Sequence, residues 1–132
     1  MKDDKQAVLN ANDEFYSTFS NNDFVSMEEL WSVNDNISVI HPGWPPLTGH
    51  HSVISSWKRI MDGGNSPNIT CINANVNLSG DIAIVICTEL LAGAKLVATN
   101  IFALEQGSWK LIHHQAGLLH QSNNNKEGDT LH

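Results

Sequence analysis

The stretch IAIVICTELLAGAKLVATNIFALEQGSWKLIHHQAGL, residues 82–118, decides the fold. Short β-branched and aromatic runs are cut at regular intervals by Ala92-Gly93-Ala94 and by Glu105-Gln106-Gly107-Ser108, which reads as consecutive antiparallel strands joined by tight turns. Adding the run before Ser79-Gly80-Asp81 predicts a four-stranded meander, with strands near Asn68–Leu78, Ile82–Leu91, Leu96–Leu104 and Trp109–Leu118. In Ile82–Cys87 both faces are apolar: Ile82, Ile84 and Ile86 on one, Ala83, Val85 and Cys87 on the other. A sheet with one wet face should alternate apolar and polar residues, so each face here needs a cover. Helices can supply one cover, and a second copy of the chain is the simplest candidate for the other.

The helices come from the N-terminal half. Residues 5–20 carry Val8, Ala11, Phe15 and Phe19 at helical spacing. Asp23 is placed to cap a short second helix that buries Met27, Leu30 and Trp31. Around Ile37–His41 the period changes to two, and Pro42-Gly43-Trp44-Pro45-Pro46 ends that strand, since proline cannot continue a ladder. A third helix follows Thr48-Gly49, with Val53, Ile54, Trp57, Ile60 and Met61 on one side and Gly63-Gly64 expected as a left-handed stop. The fold class is therefore α+β, with three N-terminal helices on the concave face of a curved, mainly antiparallel sheet. One domain is expected over residues 1–120, and the polar residues 121–132 are expected to form a mobile tail.

Composition narrows the function. With 41% hydrophobic and 16% charged residues the chain is globular, and its net charge of −7 argues against nucleic acid and anionic membrane surfaces as partners. The polar N-terminus holds no apolar signal region, so the cytoplasm is the expected location, with Cys71 and Cys87 as free buried thiols. His50-His51 and His113-His114 resemble metal ligands, but neighbours in sequence diverge on a helix and point to opposite faces of a strand. No metal site and no cofactor are expected.

Candidate site residues follow from strand phase. His41 shares a face with Ile37 and Val39 at the strand's end, where it is either a ligand contact and general base or a histidine bonded to a carbonyl of the proline-rich loop. In the last hairpin, pairing Leu104 with Trp109 carries Asn100 opposite His113 and Ala98 opposite Gln115. That puts Asn100, Phe102, His113 and Gln115 on the concave face, with Asn100 and His113 either polarising donors or a structural pair. The same reading leaves Val97, Thr99, Ile101, Ile112 and His114 on the outer, dimer-forming face, and a slip of one residue would exchange the two histidines. Glu89 joins the concave face if the preceding turn is Gly93-Ala94; otherwise it is an exposed acid. Phe15, Trp31, Trp44 and Trp57 would cap the face, with Trp44 the best placed as a pocket wall.

Three segments, ANDEFYSTFSNNDFVSMEELW (11–31), ISVIHPGWPPLTGHHSVISSW (37–57) and ATNIFALEQGSWKLIHHQAG (98–117), resemble the SnoaL-like branch of the nuclear-transport-factor-2-like superfamily. The resemblance implies a cone-shaped α+β barrel with a ligand pocket, and a homodimer packed through the sheet. It also implies cofactor-free acid–base chemistry of the isomerase, cyclase or lyase kind. The position of the isomerases' base falls on His41, and that of an oxyanion donor on Asn100. Their tyrosine donor would fall on Phe15, leaving Tyr16 one position off and turned away. The expected function is thus a pocket for a small, partly apolar molecule, with His41, Asn100 and His113 as its chemical groups. The other class of function is a non-catalytic homodimeric interaction module.

Overall fold

A computed structural model describes residues 4–63 and 68–120, so the expected tail at 121–132 and the stop at Gly64 lie outside the described residues. Helix α1 spans Asp4–Ser20 and buries Val8 and Phe15 as expected, but Asn12 and Tyr16 belong to the same buried stripe. Helix α2, Phe24–Leu30, starts at Asp23, whose carboxylate accepts from the backbone N–H of Ser26 (3.2 Å) and from its hydroxyl (2.8 Å). Those bonds satisfy an otherwise orphaned helix donor. Trp31 follows the helix and bridges to Leu111, locking the α2 exit onto the sheet.

Strand β1, Ser38–Ile40, is flanked by buried Ile37 and His41. The short β2, Leu47–Thr48, pairs antiparallel with it, which periodicity could not have shown in a segment bounded by prolines. Helix α3 spans His50–Asp62 and buries Val53, Ile54, Ser56, Trp57 and Met61. Its first N–H, from His50, donates to Asp35 Oδ1 at 2.8 Å, a cap supplied from a distant loop. At the other end Gly63 is right-handed (φ −62°), not the left-handed stop expected from the glycine pair. Its N–H bonds to the Ile60 carbonyl, tightening the last turn instead.

Strands β3 (Thr70–Ser79), β4 (Ile82–Leu91), β5 (Ala94–Glu105) and β6 (Ser108–Leu118) form the meander. The six-stranded order is β2-β1-β6-β5-β4-β3, antiparallel except where β1 runs parallel to β6. The sheet is curved but has two free edges, so it is an open cone rather than a closed barrel. Its concave face presents Ala83, Val85, Cys87 and Glu89 from β4, and Leu96, Ala98, Asn100 and Phe102 from β5. The side chains of β6 on this face are Trp109, Leu111, His114 and Ala116.

One irregularity sets the polar part of that face. Phe102 pairs with Leu111, but the next pair is Ile101 with His113, so Ile112 is an extra residue on β6. Such a bulge inverts the in–out alternation beyond it. The hairpin pairing at Leu104 and Trp109 is the expected one; past the bulge, Asn100 faces His114 rather than His113.

Candidate functional site

The concave face carries a continuous chain of buried polar groups. His114 Nδ1 lies 2.6 Å from Asn100 Oδ1. The Asn100 amide nitrogen donates to Asn12 Oδ1 (2.8 Å) and to the Tyr16 hydroxyl (3.1 Å). Tyr16 in turn donates to Glu89 Oε2 at 2.6 Å and touches Cys87 Sγ at 3.3 Å. Asn12 donates to Cys71 Sγ at 3.5 Å; both cysteines are free. Buried polar groups without partners cost on the order of 1–3 kcal/mol each, so this chain holds Asn12, Tyr16, Asn100 and His114 in one arrangement.

Tyr16 is the residue that the sequence pattern does not single out. Its hydroxyl is not turned away but reaches Asn100 and Glu89 across the concavity. The usable signal is the i, i+4 spacing of Val8, Asn12 and Tyr16, which is concealed when the stripe is drawn through apolar residues alone. Glu89 is buried on the concave face, although the turn is Ala92-Gly93 and pairs it with Leu96 rather than Ala98. That slip of two residues leaves the side of the strand unchanged.

His41 closes a second cluster. Its Nε2 lies 2.9 Å from Ser56 Oγ on α3, so its partner is a serine hydroxyl rather than a loop carbonyl. The imidazole packs edge-on against Trp57 (4.7 Å between centroids) and against Trp44 (4.8 Å), whose half-buried ring carries Arg59 on its surface. His114 lies against the same Trp57 at 5.8 Å and against Phe15 at 5.0 Å. Trp57 is therefore the hub between the two histidines, and neither its indole N–H nor that of Trp31 has a partner among the described residues.

Burial sets the charge states. It lowers His41 to about 4, and it lowers His114 to about 3 with help from the nearby His41 and His113, so both imidazoles are neutral at pH 7. Burial pushes the Glu89 carboxyl up, against the hydrogen bond from Tyr16 that draws it down. The Tyr16 phenol is pushed far above its ordinary range by burial and by Glu89, and stays protonated.

The remaining expected site residues divide. Phe15, Trp31, Trp57 and Phe102 are fully buried and fill the concavity between helices and sheet. His113 points to the other side, where its Nδ1 meets Ser38 Oγ at 2.7 Å, and Gln115 is exposed opposite Thr99. Both expectations fail for one reason: the extra residue at Ile112 reverses the phase of the strand. Asn100 is central, but both of its amide hydrogens are engaged by Asn12 and Tyr16, so it orients neighbours rather than offering a free donor. Among the described residues the better-formed hollows, of about 270 to 580 Å³, lie elsewhere and are not lined by His41, Asn100 or His113. Among the described residues no group of three or more metal-ligating side chains forms, and no helix is long and apolar enough to cross a membrane.

Comparison with known proteins places these features in a family. The SnoaL-like domain model matches residues 8–119. A crystal structure from Streptomyces avermitilis, named a putative dehydratase from the nuclear-transport-factor-2-like family, is 31% identical with a TM-score of 0.81, covering 88% of this chain and 96% of that one. A putative calcium/calmodulin-dependent protein kinase type II association domain from Thiobacillus denitrificans is 26% identical with a TM-score of 0.76, covering 83% of this chain and 93% of that one. A nuclear-transport-factor-2-like protein from Cytophaga hutchinsonii, 16% identical with a TM-score of 0.73 over 88% of this chain and 98% of that one, shares the fold. No curated protein matches the sequence.

Proposed function

Since the chain belongs to the SnoaL-like domain family of the nuclear-transport-factor-2-like superfamily, we propose that its concave face takes a small, partly apolar molecule and acts on it by cofactor-free acid–base chemistry. The reaction class is a lyase or isomerase step that begins with removal of a proton from carbon. One observation carries this reading: two buried imidazoles, His41 and His114, meet the same indole, Trp57, and burial holds both neutral. A neutral imidazole can accept a proton, whereas an imidazolium cannot. His41 is the base, because it lies at the end of β1 beneath the half-buried Trp44, whereas His114 is enclosed by Phe15 and Trp57.

Phe15, Trp57 and Phe102 fill the space beside His41, so a ligand has to enter past the Pro42–Pro46 loop, where Trp44 forms the outer wall, and part that packing. Once parted, those rings supply apolar contact, and Asn100 positions His114. The 31%-identical relative named a putative dehydratase supports a lyase over the other reactions known in the superfamily. The test begins by denaturing the purified protein and identifying any retained small molecule by mass spectrometry. His41→Ala is then compared with wild type on that compound, and a loss of about 10²–10⁴-fold in rate is expected. Unchanged turnover and unchanged affinity would make His41 structural. A protein that retains and turns over nothing would return the reading to the non-catalytic interaction module.

The same reading includes a cytoplasmic homodimer packed through the convex face. Ile84, Ile86 and Val97 are 37%, 49% and 40% exposed there, beside a hollow of about 490 Å³ bordered by Asn73, Asn75 and Asn77. A half-apolar sheet face of this kind is suited to self-association. Ile86→Glu is expected to convert a dimer to a monomer or to insoluble protein, read by light scattering at micromolar concentration. A monomeric wild type would remove the dimer from the proposal.

A further inference from the structure

We infer that the two buried histidines are held in opposite tautomers, with the basic lone pair on Nδ1 of His41 and on Nε2 of His114. The chemical role rests on the reading of His41 as a base; the tautomers themselves follow from hydrogen bonds alone.

For His41 the deciding group is Ser56. Its Oγ lies 2.7 Å from the Val53 carbonyl oxygen, and an oxygen that cannot donate must be met by the hydroxyl hydrogen at that separation. A serine has one such hydrogen. With it committed to Val53, the Ser56 oxygen can only accept from His41 Nε2 at 2.9 Å, so the proton sits on Nε2. Nδ1 keeps the lone pair. Ser56 is buried on the inner side of α3, one residue before Trp57, and acts as a positioning residue: it never needs to touch the ligand.

For His114 the deciding group is Asn100. Its two amide hydrogens go to Asn12 Oδ1 and the Tyr16 hydroxyl, which turns its carbonyl oxygen toward His114. That oxygen can only accept, so the proton sits on His114 Nδ1 and the lone pair on Nε2. The polarity is consistent along the rest of the chain, because Tyr16 accepts from Asn100 and passes its own hydrogen to Glu89. A ring nitrogen's proton is set by what the other nitrogen bonds, and here two different shells set it in two different ways. Both rings are neutral at pH 7, so each tautomer is observable there.

The test is nitrogen-15 spectroscopy of the histidine side chains in the full-length protein at neutral pH. The expected result is one single tautomer for each ring, Nε2–H at His41 and Nδ1–H at His114. In Ser56→Ala, His41 should show a mixture with detectable Nδ1–H while His114 is unchanged; Ser56→Thr, which keeps the hydroxyl, should restore the single form. Nδ1–H at His41 or Nε2–H at His114 in the wild type would overturn the inference, with no variant needed. An unaltered His41 spectrum in a folded Ser56→Ala would overturn the role of Ser56. Turnover plays no part in these readings, so failure here is distinct from failure of the proposed chemistry.

Discussion

Strand β5 is paired on both sides, and its two ladders behave differently. Toward β4 the register runs unbroken from Ile82↔Ala103 to Leu91↔Ala94. Toward β6 it shifts once, at Ile112. The regular ladder keeps Cys87, Glu89, Ala98 and Asn100 on the concave side by simple alternation. The broken one exchanges histidines, turning His113 out to Ser38 and His114 in to Asn100. A regular ladder can be phased from one end. A bulged ladder must be phased separately on each side of the bulge, and the site lies on the far side.

Deleting a residue from the regular ladder is the most severe way to break this contrast. Without Thr99 one half of β5 should reverse its phase, turning either Asn100 and Phe102 or Leu96 and Ala98 off the concave face, whereas without Ile112 the strand should straighten with His114 and Ala116 still inward. Losing buried packing and network partners together should cost the Thr99 deletion more than about 4 kcal/mol, the range of disrupted buried networks. Urea denaturation would register this as loss of a cooperative transition or a collapse of its midpoint. A Thr99 deletion no less stable than the Ile112 deletion would mean that the regular register can slip at little cost.

Legibility divides along the same line. The bounds of β4 and the cap at Asp23 can be read from sequence, because each depends on local spacing alone. The face of Glu89 stays open there, and the concave alternative holds despite the misplaced turn because a slip of two keeps parity. The bulge cannot be read there. Leu111-Ile112-His113-His114 offers an apolar residue to either face, so nothing local distinguishes a straight strand from one with an extra residue. Tyr16 escapes for a different reason: a helical stripe drawn through apolar residues passes over the polar ones that a buried network recruits. The family resemblance locates His41 and Asn100 but not Ser56, whose importance lies in which hydrogen it has already given away.

The ladders also carry opposite pH signatures. His114 on β6, like His41 at the end of β1, is depressed in the folded state, to about 3 and about 4 respectively. The unfolded chain therefore binds more protons between those values and the ordinary histidine pKa near 6.5, and stability rises with pH across that window. This contribution is complete above about pH 6.5 and is lost as pH falls toward 4, each tenfold difference in proton affinity being worth about 1.4 kcal/mol. Glu89 on β4 is raised, so its contribution has the reverse sign, present at low pH and lost as pH rises through its folded value. Two histidines against one carboxyl predict a net loss of stability on acidification from pH 7 to 5. Equal urea midpoints at those two values would contradict the burial of both rings.

The smallest effect is expected on the convex side. His113→Ala removes only the contact with Ser38 from a half-buried ring and should cost less than about 1 kcal/mol. His114→Ala should cost about 2–4 kcal/mol, because Asn100 loses its buried donor and the core loses packing against Phe15 and Trp57. Similar losses of thermal stability in the two variants would erase the distinction between the two sides of the sheet.

The parallel pairing of β1 with β6 has a kinetic side. Each meander hairpin closes through a turn of a few residues, whereas Ser38 and His113 meet across 75 positions of chain. Loop-closure entropy grows by about 0.6 kcal/mol per doubling of length, so docking the strand that carries His41 costs roughly 2.5 kcal/mol more than closing a hairpin. That cost is offset only once helices and meander are both in place. The arm bearing the proposed base is thus the piece of the molecule whose attachment depends most on everything else having folded first.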